Sequence, residues 1–131
     1  MKNILENNIY SKTFEDKFLV IGNCVTDLYP KVFEEFENEW KNVVNFCLEK
    51  DHYNHLLVKL FDILSLGKTK KVGFLTVDGS PHCIQMHFCS KYLIRGLKNK
   101  VEFKHFVINK NGKVFEVDLE TIDKSKNLSK I

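Results

Sequence analysis

Two β-prone runs, Val101 to Asn109 and Lys113 to Leu119, flank Asn111-Gly112, and this arrangement constrains the chain more than any other feature. Asn-Gly between alternating apolar residues is a strong hairpin signal, because a type I′ turn needs φ > 0 at both central positions and these residues tolerate it. A two-residue turn pairs Lys110 with Lys113. Counting outward sets Ile108 opposite Phe115, Val107 opposite Glu116 and His105 opposite Asp118. Side chains alternate along a strand, so Phe106, Ile108, Phe115 and Val117 share one face, expected to be core, while His105, Val107, Glu116 and Asp118 share the other. Facing Cβ atoms lie about 4.5–5.5 Å apart, close enough for Asp118 to accept from a ring nitrogen of His105 and set its tautomer. That is the arrangement of an oriented general base. It is equally an exposed cross-strand pair of opposite charge, contributing about 0.2–1 kcal/mol.

Upstream, Leu28, Val32, Phe36, Trp40, Val44 and Cys47 recur at helical spacing, which predicts an amphipathic helix. It should start near Asp27, with Asp27 or Thr26 as N-cap and Pro30 in the first turn, where a missing N–H costs nothing. Glu34, Glu35, Glu37 and Glu39 fall on its other faces, as a solvated surface or one that meets a basic partner. A second helix is expected from His55 to Leu66, with Leu56, Leu60, Ile63 and Leu64 inward and Gly67 as its stop. Before both, Phe18-Leu19-Val20-Ile21 ends at Gly22-Asn23 and predicts a short buried strand.

After Lys68-Thr69-Lys70-Lys71 the period changes, and Val72 to Val77 and His82 to Cys89 read as strands joined by a turn at Asp78-Gly79-Ser80-Pro81. Lys91 to Lys100 fits either a short helix or a loop. The expected fold class is α+β, an N-terminal helix pair packed on an antiparallel sheet of two hairpins. Residues 1–123 form a single domain and 124–131 a flexible polar tail.

The chain has 131 residues, 44% hydrophobic with eleven Phe, enough for one self-sufficient core. Its net charge of +3 is small and scattered, whereas a footprint on nucleic acid needs a clustered basic face, so no nucleic-acid partner is expected. No run approaches the ~20 apolar residues that span a bilayer, and Met1 to Tyr10 lacks the apolar stretch of a signal peptide, which points to the cytoplasm and no membrane. Cys24, Cys47, Cys83 and Cys89 are then thiols rather than disulfides.

Gly73, Gly79, Gly96 and Gly112 make no phosphate-cradling pattern. His82, Cys83, His87 and Cys89 are close in sequence, but on a strand His82 would face away from the other three, and a fourth ligand such as His52 or His55 would be needed for zinc. Cys83 and Cys89 are better read as small, buried strand residues. No metal and no cofactor are assigned.

Cys24 follows Gly22-Asn23 directly ahead of a helix, where partial positive charge favours the thiolate. Gly22-Asn23-Cys24, followed far downstream by the His105 to Asp118 hairpin, resembles the papain-like and transglutaminase-like thiol enzymes, in which the Cys opens a helix and His and Asp lie on neighbouring strands. The resemblance covers about a fifth of the chain. It implies a cysteine protease-like catalytic triad with Cys24 as nucleophile, His105 as general base and Asp118 as its orienter. Oxyanion donors would come from the Cys24 N–H, Asn23 or Gln85.

The implied function is hydrolase or acyltransferase chemistry on an amide or thioester of a protein or peptide. The alternative is a non-catalytic α+β interaction module of inhibitor or immunity type. A degenerate thiol-enzyme fold would satisfy both descriptions.

Overall fold

Four consecutive apolar residues, Phe18 to Ile21, have no place on a strand with one wet face, but they suit a parallel strand covered on both sides. The computed structural model shows that arrangement. It describes residues 1–48, 50–78, 81–98 and 100–122, with the backbone alone over 81–84 and at 122. Five strands, β1 (Asp16–Gly22), β2 (Val43–Phe46), β3 (Thr69–Val77), β4 (Glu102–Ile108) and β5 (Val114–Val117), form one sheet in the order β2-β1-β3-β4-β5. β2, β1, β3 and β4 are parallel, and β5 alone is antiparallel. The helices are α1 (Asn23–Leu28), α2 (Pro30–Trp40), α3 (Tyr53–Ser65), α4 (Pro81–Leu97) and α5 (Leu119–Ile122).

Parallel neighbours need crossovers, and right-handed crossovers to opposite sides of β1 place helices on opposite faces. Leu19, Ile21 and Leu75 meet Val25, Phe36 and Trp40 on the α1–α2 face. Phe18, Val20, Val72 and Phe74 meet Leu56, Leu60, Met86 and Leu93 on the α3–α4 face. Gly73 is required beneath Trp40, since a Cβ there would stand 2.7 Å from the indole. Phe106 completes that packing, edge-on to Phe36 with centroids 5.1 Å apart.

The helix-pair-on-two-hairpins architecture is therefore wrong, for local reasons that can be named. Val44 and Cys47, counted into a helical stripe, lie beyond the end of α2, where Lys41 takes φ 66° and turns the chain into β2, whose Val43 and Val44 favour a strand. Pro30 does open a helix, but it also breaks the one before it. The residue preceding a proline avoids the helical region, and Tyr29, at φ −136° and ψ 63°, separates α1 from α2. A separate short helix, α1, thus begins at Asn23, and the helix expected from Asp27 is α2, which begins at Pro30.

The predicted strand from His82 to Cys89 is the first half of α4, which takes Pro81 at its start as proline permits. Gly79-Ser80, the centre of that predicted turn, and the tail 124–131 lie outside the described residues. The second predicted helix is α3, with Leu56, Leu60, Ile63 and Leu64 buried and Gly67 at φ 76° behind it.

The terminal hairpin forms with a different turn. Asn111 keeps a negative φ and only Gly112 is left-handed, at 80°, which excludes type I′ and matches a type I turn followed by a left-handed residue. Asn109 closes it: its N–H donates to the Lys113 carbonyl at 2.9 Å, and its Oδ1 accepts from the Asn111 and Lys113 amides. The longer loop slips the register by one, so His105 faces Val117 and Ile108 faces Val114. A one-residue slip turns a strand over relative to its partner. Val107 consequently joins Phe115 and Val117 on one face, and Phe106 points to α2.

Candidate functional site

A doubly wound sheet opens a crevice where successive crossovers leave in opposite directions, outside the carboxyl ends of the two central strands. Here those strands are β1 and β3. β1 delivers Gly22, Asn23 and Cys24 into the turn that begins α1, and β3 delivers Asp78, whose amide donates to the Ile108 carbonyl at 2.9 Å. Cys24 is exposed. The Asn23 carbonyl accepts from the Thr26 hydroxyl at 3.1 Å, whereas its side-chain Oδ1 is buried with no hydrogen bond among the described residues. Leaving a buried acceptor unsatisfied costs about 1–3 kcal/mol. The hairpin turn flanks the same edge, with Gly112 beside the Tyr29 ring.

The three residues of the implied triad are not brought together. β1 and β4 are separated by β3, hence by two strand spacings of about 4.8 Å each. His105 is level with Phe74 and so with Val20, in mid-strand, whereas Cys24 lies beyond the end of β1. His105 therefore cannot take a proton from Cys24. His105 and Asp118 do share a cleft of about 250 Å³ with Glu116 and Lys104. Asp118 Oδ1 accepts from the Thr121 amide at 2.7 Å, three residues on, which makes it the N-cap of α5.

His105 belongs to a buried polar network reaching α4. Its ring stacks on Phe74, centroids 5.6 Å apart and 10° from parallel. His87 Nδ1 lies 3.0 Å from His105 Nδ1, His87 Nε2 lies 2.7 Å from Thr76 Oγ1, and Ser90 Oγ lies 3.2 Å from His105 Nε2. Ser90 also donates to the His87 carbonyl at 3.0 Å. Because a hydroxyl has one proton, this last bond fixes all the others. Ser90 Oγ must accept from His105 Nε2–H, so His105 Nδ1 is a bare acceptor. His87 Nδ1–H donates to it, and His87 Nε2 accepts from Thr76.

Each imidazole nitrogen of this network has a partner with both rings neutral. One added proton can be shared across the Nδ1 contact if Thr76 rotates to accept. Two would oppose two N–H groups at 3.0 Å. Burial lowers His87 well below its ordinary range, and the neighbouring His105 lowers it further. Burial brings His105 down to about 4, with Asp118 opposing the shift.

With 82–89 read as a strand, His87 stands only as a possible metal ligand, and its contacts with Thr76 and His105 and the place of Ser90 are not visible. A helical period was available: Met86, Cys89, Ser90 and Leu93 are all buried at three- and four-residue spacings. His82 and Cys83 side chains lie outside the described residues. His87 and Cys89 are buried helix residues, and among the described residues no three potential ligands gather for a metal.

A mostly parallel sheet wound to both sides of a switch point, with polar residues at the carboxyl ends of its central strands, defines a doubly wound α/β domain. The chain belongs to the Rossmann-like domain family, which matches residues 13–131. No curated protein and no solved structure matches it. This membership overturns the papain-like and transglutaminase-like resemblance and the cysteine-protease character drawn from it. A Cys before a helix and a His–Asp hairpin are short-range patterns that a parallel sheet also contains. No helix among the described residues is long and apolar enough to cross a membrane.

Proposed function

We propose that this domain binds a small molecule at the β1–β3 switch point and that Cys24 engages it in acyl transfer. The observation that carries the reading is the buried Asn23 Oδ1, which has no hydrogen-bond partner among the described residues, next in the chain to the exposed Cys24. Such an acceptor is satisfied by a ligand N–H or O–H, as an amide or hydroxylated metabolite presents. In the reaction the thiol sulfur bonds to a carbonyl carbon, the leaving group departs, and the thiol proton is released. His105 has no part in it.

The test uses two reagents. Iodoacetamide should label Cys24 faster than its N,N-dimethyl analogue, which lacks the amide N–H, and Asn23→Ala should abolish the preference. p-Nitrophenyl acetate should leave an acetyl group on Cys24, mapped by peptide mass, before Cys47. Equal rates for both iodo reagents, or acetylation unrelated to position, would refute it.

The interaction-module alternative is favoured by the exposure of Glu34, Glu35, Glu37 and Glu39 on α2. It predicts a basic protein partner and no reactivity at Cys24 above that of an ordinary surface thiol.

A further inference from the structure

At the opposite, amino-terminal edge of the sheet the ends of α3 and α4 and the starts of β3 and β4 enclose a pocket of about 410 Å³. Lys70, Lys98 and Lys100 line it, and among the described residues no carboxylate does. Among the described residues none of these lysines is paired with an acid, whereas Lys104, just outside, has both Glu102 and Glu116. The floor is apolar, with Leu97 and Val101, and the 43% exposed ring of Phe61 forms one wall.

Lysines near helix C-termini often serve only to complement the helix dipole. Here several of the terminal carbonyls already have partners. Ile63 and Leu64 accept from the Leu66 and Gly67 amides, and Leu97 accepts from the Lys100 amide at 3.3 Å. Lys70 lies in β3 and belongs to neither helix. Lys98 holds φ 55°, a conformation that glycine or asparagine adopts at lower cost. Three ammonium groups around one pocket repel one another, and a bound anion relieves that repulsion.

We infer that this pocket is a second ligand site, separate from the switch point, for a small organic anion with an aromatic body: the anionic group among Lys70, Lys98 and Lys100, the ring against Phe61. An exposed aromatic face beside cations is a general stacking platform for planar anions.

Phenyl phosphate, inorganic phosphate and benzyl alcohol, titrated into the ¹⁵N-labelled chain, separate the two contributions. Phenyl phosphate should shift the Gly67, Lys70, Leu97 and Val101 amides, binding about tenfold tighter than inorganic phosphate, a difference of about 1.4 kcal/mol. Benzyl alcohol should shift none. Lys98→Glu with Lys100→Glu should weaken phenyl phosphate at least about tenfold, and Phe61→Leu should reduce it to the level of inorganic phosphate.

The inference is overturned if both phosphates bind alike, if shifts scatter over all surface lysines, or if the charge-reversed protein keeps its affinity. Should that protein unfold, Lys70→Gln alone must still weaken binding severalfold.

Discussion

Acidification should destabilise this protein through the His87–His105 pair, and the structure sets the size of the effect. His105 is 4% exposed and its pKa falls from 6.5 to about 4 on folding. A base whose folded pKa is lowered binds more protons when unfolded, so its contribution is fully present above the unfolded value of 6.5. It is lost as pH falls through 6.5 toward the folded value. At about 1.36 kcal/mol per unit, His105 costs roughly 3 kcal/mol over the whole window and about 2 kcal/mol between pH 7 and pH 5. His87 acts in the same direction. For a domain of ordinary stability, about 5–15 kcal/mol, such a loss is large.

Urea unfolding at half-unit steps from pH 7.5 to pH 4.5 reads this directly, with m checked for constancy. Carboxylates also titrate near the lower limit, so the comparison is with His105→Gln, which should lose about 2 kcal/mol less than the native chain between pH 7 and pH 5. Ring ¹⁵N shifts should show protonated Nε2 and bare Nδ1 on His105 at pH 7. Equal pH slopes in the two proteins, or a His105 ring titrating near 6.5, would refute both the proton assignment and its energetic consequence.

Gly73→Ala should cost about 1–3 kcal/mol by overpacking, because the added methyl meets Trp40 at 2.7 Å; Trp40→Phe in the same chain should recover part of it, measured by urea midpoint. Asp118→Ala should remove the α5 cap at about 1 kcal/mol and lower the His105 pKa further, since the carboxylate is what opposes desolvation there; the ring shift of His105 reports the second effect separately from the first.

Much of the local structure was legible without coordinates. The Phe18 to Ile21 run, the α3 stripe with its Gly67 stop, and the 101–109 and 113–119 strands were set by hydrophobic period and turn residues, which act over a few positions. The switch-point residues Gly22, Asn23 and Cys24 were also picked out, as a turn leading into a helix.

Tertiary structure decided which strands are neighbours. A fully buried strand and a buried helical segment carry similar apolar runs, so by period alone β2 reads as the end of α2 and half of α4 as a strand, and from those two elements the parallel order cannot be counted out. The hairpin turned on one residue: once the Asn109 side chain closed a longer loop, the register slipped by one, and Val117 rather than Asp118 stands opposite His105, whose ring makes a buried contact with His87. Asn-Gly alone determined that the chain reverses near Gly112. Which face His105 occupies, and which residue shares its proton, depended on α4 lying across the sheet.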